Sequence, residues 1–352
     1  MTATARVVML VSLALLQGCA AVEYYAQAIG GHLDVVSRAV AIDERLRDPV
    51  TPPPLREKLR RAMEIRDFAS RELGLPDNGS YRRYADLERP YVVWNVFAAP
   101  EFSVRPMESC FPIAGCVSYR GYYHESDAKA YAETLKARGY DVYIGGVPAY
   151  STLGWFDDPV LNTFIRYPDA EMARLIFHEL AHQVAYVKND TVFNESFAVA
   201  VEEEGVRRWL AHHGTVEQGA AHATLRQRRR EFIALVQSYR EKLAAFYGEP
   251  LTLEQKRDGK ARLFADMMAD YGRLKVQWGG FAGFDRMLAA GPNNALLASV
   301  TAYSELVPAF RALLAGKGGD LAAFYAEVKE LARRDKAARD AALAGFAARV
   351  NR

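Results

Sequence analysis

Over most of the chain, apolar residues recur at intervals of three and four positions, the spacing of one face of an amphipathic helix. This pattern predicts helices over residues 24–47 and 55–73, separated by the proline-rich segment 48–54. From about Asp169 to the C-terminus the pattern is helical almost throughout, and the last helix is predicted over residues 320–349. One helix in this half carries a regular apolar stripe, formed by Leu225, Phe232, Val236, Tyr239, Leu243 and Phe246.

The middle of the N-terminal half has a different pattern. β-branched and aromatic residues concentrate in three short segments, 91–97, 116–122 and 140–144, which are predicted strands. A helix is predicted over residues 126–138, and Gly145–Gly146 is expected to end the third strand. Together these elements predict an α+β fold that is predominantly helical, with a small mixed sheet in the N-terminal half.

The composition is that of an ordinary folded protein, with 50% hydrophobic and 25% charged residues in a chain of 352. A chain of this length buries roughly three-quarters of its unfolded surface, so one large domain or two closely packed domains both fit. The net charge of +2 gives no reason to expect a nucleic-acid partner. Three cysteines are too few for a disulfide-rich scaffold.

The N-terminal segment predicts export rather than a folded element. Residues 7–16 are almost entirely apolar, a length that is too short to span a bilayer but suits a secretory signal. The segment Leu16–Cys19 resembles the bacterial lipobox, and Ala20 follows the cysteine as in lipoproteins sent to the outer membrane. We therefore expect a signal over residues 1–18, a lipid on Cys19, and anchoring in the bacterial outer membrane facing the periplasm. An ordinary cleaved signal and a buried cysteine are the alternatives.

Export also bears on the other two cysteines, Cys110 and Cys116. Disulfides persist in exported proteins, and the short intervening loop contains Pro112 and Gly115, which can bring the two sulfurs together. The sequence therefore predicts a disulfide between them. The alternative is a pair of small buried thiols.

The chain contains one motif typical of a metal site. Residues 176–182 read Ile-Phe-His-Glu-Leu-Ala-His. On a helix, His178 and His182 lie on the same face, so both imidazoles can reach one zinc ion. Glu179 is rotated about 100° from His178, which places its carboxylate beside the ion, where it can accept a proton from an attacking water.

A third ligand is predicted on the following helix. Glu195 lies thirteen residues after His182, beyond the polar turn Lys188–Asp190. A short turn favours antiparallel packing of the two helices, which folds Glu195 back over the histidines. Two histidines and a glutamate, with the fourth position open to water, are typical of catalytic zinc. Glu202, two turns further on, is a candidate partner for a ligand imidazole; the alternative is a solvated glutamate in an acidic run.

These residues resemble a known superfamily. His-Glu-Leu-Ala-His followed by Asn-Glu-x-x-Ala resembles the gluzincin metallopeptidases, and the longer stretch from Phe177 to Gly205 is similar to a family of bacterial lipoproteins described as predicted aminopeptidases. The resemblance implies a gluzincin-like fold, one zinc ion per chain held by His178, His182 and Glu195, Glu179 as general base and acid, and a peptide substrate. The chain lacks the Gly-x-Met-Glu-Asn segment with which alanyl aminopeptidases hold the substrate amine.

Gluzincins also supply a tyrosine or histidine that stabilises the oxyanion, and an exposed strand along which the substrate lies. Tyr303 is the candidate donor, with a tyrosine packed in the core as the alternative. The candidate edge strands are residues 143–150, where Pro148 excludes a central position, and the competing segment 118–122.

The sequence thus predicts a zinc-dependent peptidase, with aminopeptidase as the implied subclass. Residues 19–168 are expected to form N-terminal helices and a small mixed sheet, continuous with a helical zinc-binding region over 169–352. A zinc-containing binding or scaffold lipoprotein without hydrolytic activity and a cell-wall peptide amidase are the alternatives. The basic segment Arg226–Arg230 is predicted to be a solvated helix face.

Overall fold

The computed structural model describes residues 22–111, 115–301 and 305–350. The predicted signal, the predicted lipid site Cys19 and the predicted oxyanion donor Tyr303 lie outside the described residues. No described helix is long and apolar enough to cross a membrane.

The N-terminal segment forms three helices and two short strands: α1 (22–38), β1 (Val40–Ala41), α2 (Ile42–Arg47), α3 (Pro53–Arg71) and β2 (Arg83–Ala85). The prediction of one continuous helix over residues 24–47 is therefore wrong. The helix is interrupted at Val40, because β1 pairs there with β2 in antiparallel register, with Val40 opposite Tyr84. The helix expected over 55–73 is confirmed as α3.

The next segment supplies the remaining strands and one helix: β3 (Val93–Pro100), β4 (Ser109–Phe111), β5 (Gly115–Val117), β6 (Arg120–Tyr122), α4 (Glu125–Lys136), β7 (Tyr140–Val147) and β8 (Val160–Leu161). The predicted strand 116–122 is split into β5 and β6. Within the described ranges, the strands form one antiparallel sheet in the order β6-β3-β7, a mixed sheet in the order β1-β2-β8, and the β4-β5 pair.

Gly146 continues β7 instead of ending it, which corrects the expected strand end. Gly146 pairs with Trp94 of β3. Only glycine fits at this position, because the ring of Tyr91 lies against its backbone. A Cβ atom added to Gly146 would lie 2.3 Å from Cδ2 of Tyr91.

The C-terminal half is helical: α5 (Asp169–His182), α6 (Thr191–His213), α7 (Val216–Tyr247), α8 (Leu253–Gln277), α9 (Asp285–Leu288), α10 (Asn294–Thr301), α11 (Val307–Gly316), α12 (Leu321–Arg333) and α13 (Lys336–Val350). The single helix expected over residues 320–349 is two helices. The second helix, α13, begins at Lys336 because Asp335 caps its N-terminus: Asp335 Oδ1 accepts the backbone N–H of Ala338 at 2.9 Å.

The largest buried cluster joins α1–α3 to α5, α6 and α11–α13, and a second cluster joins α7 to α8, α9 and α10. Most of the predicted apolar stripe of α7 is buried in the second cluster, namely Phe232, Val236, Tyr239 and Leu243. The β6-β3-β7 sheet packs Trp94, Val96 and Ala98 toward α4. Its opposite face borders a large cavity, together with parts of α5, α6 and α7.

Candidate metal centre and its cleft

Helix α5 holds His178 and His182 one turn apart. The helix forms in the interior because apolar residues surround its polar stripe, and Ile176, Phe177 and Leu180 are fully buried. A buried helix of this kind has little freedom to move its side chains. The two imidazole rings therefore lie in fixed positions, with their centroids 4.9 Å apart.

The turn between α5 and α6 is fixed by side-chain hydrogen bonds. The Asn194 side chain accepts the backbone N–H of Val187 at 2.7 Å and donates to the carbonyl oxygen of the same residue at 2.8 Å. Asp190 caps α6 by accepting the N–H of Phe193 at 3.1 Å. The sequence therefore folds α6 back along α5, with Glu195 in the first turns of α6.

A glycine allows the two helices to approach closely. A Cβ atom on Gly205 of α6 would lie 2.6 Å from a ring carbon of Phe177 on α5 and 2.9 Å from Leu73. Any larger residue at this position would push α6 away from α5. Because Glu195 and Glu202 belong to the same helix, such a shift would also move them away from the histidines.

His178, His182 and Glu195 converge on one point. Each offers one ligand atom, and these atoms lie within 4.8 Å of one another. The Glu195 carboxylate is 3.2 Å from His178 Nε2 and 3.8 Å from His182 Nε2. The three residues are buried, at 7%, 8% and 9% exposure for His178, His182 and Glu195. The triad is therefore able to hold a metal ion.

Glu202 lies beside the triad rather than in solvent. Its carboxylate is 2.9 Å from His178 Nδ1 and also accepts a hydrogen bond from Arg174 at 3.1 Å. Arg174 in turn donates to Glu171 at 2.9 Å, and Arg229 of α7 is 3.3 Å from the same Glu171 carboxylate. An alternating chain of charges thus runs from the triad along α5 to α7.

The charges of these groups reflect that network. Burial alone would lower the pKa of His178, but hydrogen bonds to Glu195 and Glu202 outweigh it and raise this pKa to about 10. Burial lowers the pKa of His182 to about 4. For Glu202, burial is outweighed by Arg174 and His178, which lower its pKa to about 2. The ionised carboxylates of Glu195 and Glu202 thus favour a positive charge at His178, whereas His182 is neutral.

The donor set also fits a metal ion chemically. Two imidazole nitrogens and one carboxylate oxygen form the three-residue ligand set of many catalytic zinc sites. In addition, His182 Nδ1 is buried without a hydrogen-bond partner among the described residues. Glu179 is outside the triad but lines the same cavity, and burial raises its pKa to about 7.

The cavity has a volume of about 980 Å³. The sheet contributes Val93 and Asn95 of β3 to its lining, and Gly121 of β6 and Gly146 of β7 reach it as well. In the described sheet β6 and β7 are the two edges. Both segments considered as edge strands from the sequence therefore border the cavity, and the choice between them stays open.

Cys110 and Cys116 are joined by a disulfide across the β4–β5 pair. The backbone N–H of Cys116 donates to Asn189 Oδ1 at 2.7 Å, and Asn189 lies in the turn between α5 and α6. The hairpin is therefore attached directly to the turn that positions Glu195.

Sequence reasoning missed two parts of the cleft. Tyr119 lines the cavity, where burial and then the charges of Glu195, Tyr186 and Glu179 raise its pKa well above its usual range. The basic segment Arg226–Arg230 was expected to be a solvated face, but three of its arginines line the cavity: Arg226, Arg229 and Arg230. Their spacing of three and four residues is the one available signal that they share a helix face.

A family model described as "Putative aminopeptidase" matches residues 23–343. This chain belongs to that family. The match covers most of the chain, including all of the residues of the metal centre, and the family's description names a peptidase role. The predicted membership of an aminopeptidase family is thereby confirmed. No curated protein and no solved structure matches the chain.

Proposed function

We propose that the protein is a zinc-dependent peptidase of the gluzincin type, with one zinc ion per chain held by His178, His182 and Glu195. The observation that carries this proposal is the convergence of these three ligands beside a fourth residue, Glu179, that faces the same cavity without joining them. A purely structural metal site has no need of such a free carboxylate. When bound, zinc would polarise the scissile carbonyl and make the attacking water more acidic.

Glu179 is the proposed general base and acid. It accepts a proton from the attacking water and returns it to the amine that leaves. Burial raises its pKa to about 7, and proton transfer is most effective when the pKa of the catalytic group lies near the working pH.

Glu202 is proposed to position His178 in the ligand set. By accepting the Nδ1 hydrogen of His178, Glu202 leaves Nε2 free to face the ion. Arg174 keeps Glu202 ionised, so the carboxylate remains a hydrogen-bond acceptor.

Hydrolysis also needs a hydrogen-bond donor for the oxyanion. Among the described residues, Tyr119 is our candidate, because it lines the cavity and, besides burial, its phenol lies close enough to Glu195 and Glu179 for both charges to raise its pKa. The role of Tyr303 as the oxyanion donor stays a prediction made from the sequence.

We further propose that the protein is a lipoprotein of the bacterial outer membrane, held by a lipid on Cys19 and facing the periplasm. The lipobox-like segment at Leu16–Cys19 supports this proposal. Cells producing a Cys19→Ser variant should contain the protein in the soluble periplasmic fraction or as unprocessed precursor. Recovery of that variant in the membrane fraction, after normal processing, would refute the lipid anchor.

The test of the peptidase proposal is cleavage of a defined peptide mixture by the purified protein, with and without a metal chelator. We expect cleavage that stops with the chelator and returns when zinc is added. Release of single N-terminal residues would establish an aminopeptidase, and cleavage at internal bonds an endopeptidase. No cleavage of any peptide by zinc-loaded protein would refute the proposal and favour a binding or scaffold lipoprotein.

A further inference from the structure

Helix α7 presents one continuous face to the cavity. The residues on this face recur at intervals of three and four positions: His222, Arg226, Arg229, Arg230, Ile233, Ala234 and Gln237. The first half of the face is basic and the second half is mainly apolar. The basic half therefore forms a distinct cationic end of the cavity.

Among the described residues, two of these arginines form no ion pair. Other charged groups at the cavity are paired, since Arg174 contacts Glu202 and Arg311 contacts Glu203. In contrast, Arg226 forms no ion pair within the described part of the chain, and Arg230 donates only to the amide oxygen of Gln227 there. Glu231 lies near enough to Arg230 for that arginine to lower the pKa of its carboxyl, but no described carboxylate forms an ion pair with either Arg226 or Arg230.

His222 lies on the same face of α7, at the cationic end of the cavity. Burial lowers the pKa of His222, and Arg226, Arg229 and Arg174 lower it further, against the opposing effect of Glu171. His222 Nδ1 is also buried without a hydrogen-bond partner among the described residues. A buried imidazole nitrogen without a partner and two guanidinium groups without an ion pair, all on one helix face, suit an anionic ligand.

The contact of Arg229 with α5 gives an approximate spacing between this face and the metal centre. Arg229 contacts Glu171, which precedes His178 by seven residues on α5. A rise of 1.5 Å per residue places Glu171 about 10 Å from His178 along the helix axis. An extended peptide covers this distance in about three residues, at roughly 3.3–3.6 Å each.

We propose that Arg226 and Arg230 bind a carboxylate of the substrate peptide, about three residues from the bond that is cleaved. Arg229, held in place by Glu171, supports the same group. The carboxylate belongs either to the peptide's C-terminus or to an acidic side chain. This inference rests on the proposed peptidase function for the identity of the ligand, and it names a substrate class of short peptides with a free carboxylate near the cleavage site.

The test measures binding, so that it does not depend on turnover. Calorimetry is performed with the full chain carrying Glu179→Gln and loaded with zinc. Three peptides are compared: tetra-alanine with a free C-terminus, its C-terminal amide, and the amide of Ala-Ala-Ala-Glu. The binding of each peptide is also measured to a protein that carries Arg226→Gln and Arg230→Gln in addition to Glu179→Gln. The control adds Arg60→Gln and Arg262→Gln instead, which removes the same charge from exposed positions outside the cavity.

We expect the free acid to bind at least about tenfold more tightly than the amide, as charge-assisted hydrogen bonds predict. This preference should vanish in the Arg226→Gln/Arg230→Gln variant and persist in the control. If the Ala-Ala-Ala-Glu amide binds as tightly as the free acid, the subsite also accepts acidic side chains; if it binds as weakly as the tetra-alanine amide, the subsite is specific for the C-terminus.

Equal binding of the free acid and both amides, or a preference that survives the loss of both arginines, would overturn the proposal. The result of this binding test is independent of the result of the peptide-cleavage test. A protein that cleaves peptides but shows no carboxylate preference loses only the subsite. A protein that shows the preference but cleaves no peptide keeps the subsite and loses the peptidase function.

Discussion

The α5–α6 wall of the cleft and its α7 wall both carry charged side chains, but these side chains have different partners. On the first wall, His178 is held between Glu195 and Glu202, and Arg174 contacts Glu202 from the other side. On the second wall, Arg226 and Arg230 are more exposed and form no ion pair among the described residues.

This difference indicates two kinds of task. Buried groups with fixed partners lose little further entropy when they bind an ion, so they suit a permanently held metal. Arginines that reach solvent and form no ion pair keep their charge available for a ligand that arrives and leaves. The proposals therefore assign a metal centre to the first wall and a substrate-binding surface to the second.

The largest effect is expected from breaking the rigid wall at its ligands. His182→Ala and Glu195→Ala should each lose most of the bound zinc and reduce peptide cleavage to background, because three protein ligands are the usual minimum for catalytic zinc. Elemental analysis after dialysis measures the zinc. The Arg226→Gln/Arg230→Gln variant is the contrast from the opposite wall and should keep about one zinc per chain. Full occupancy in both ligand variants would refute the site.

A large effect on stability is expected from a substitution in the turn between α5 and α6. Asp190 caps α6 and accepts a hydrogen bond from Arg339, and both side chains are buried. Asp190→Ala leaves the Arg339 charge without its carboxylate, which should lower the free energy of unfolding by about 3–5 kcal/mol. Denaturant titration provides the measurement.

The control for this variant is Asp340→Ala. Asp340 pairs with Lys336 in a partly exposed ion pair, so its loss should cost no more than about 1 kcal/mol. Similar losses in the two variants would contradict the role of Asp190.

A smaller effect is expected from Glu202→Gln. An amide in place of the carboxylate weakens the hydrogen bond that orients His178, and losses of this kind typically reduce metal affinity by about 10–100-fold. Zinc titration against a competing chelator measures the change. Arg226→Gln, on the other wall, should leave zinc affinity unchanged. A Glu202→Gln variant with the parental zinc affinity would show that Glu202 does not position the ligand.

The rigid wall could be predicted from sequence because its determinants are local. His178 and His182 are one helical turn apart, and Glu195 follows after a single short turn. Helical periodicity and one antiparallel hairpin are enough to bring these three residues together.

The rest of the site depended on tertiary packing. Glu202, Glu203 and Glu204 are consecutive, yet the first contacts His178, the second Arg311 and the third Arg208. Likewise, the arginines of α7 line the cavity only because α7 packs with that face toward α5. Local sequence patterns contain no information on which polar face of a helix meets a cavity.

The short strands escaped prediction for a related reason. β1 and β8 have two residues each, and they are strands because β2 lies between them. A segment of this length has no periodicity to detect. The strand β3, with eight residues rich in aromatic and β-branched side chains, was predictable.

Glu179 is the proposed proton-transfer group of a zinc peptidase, and the most direct test is the Glu179→Gln variant, with zinc content and kinetics measured on the same preparation. The amide is nearly isosteric with the carboxylate, and Glu179 is outside the ligand triad, so zinc content and peptide binding should persist. Loss of general acid–base catalysis should lower the rate of peptide cleavage by at least about a hundredfold. A variant that retains zinc and cleaves peptides at close to the parental rate would contradict the claim.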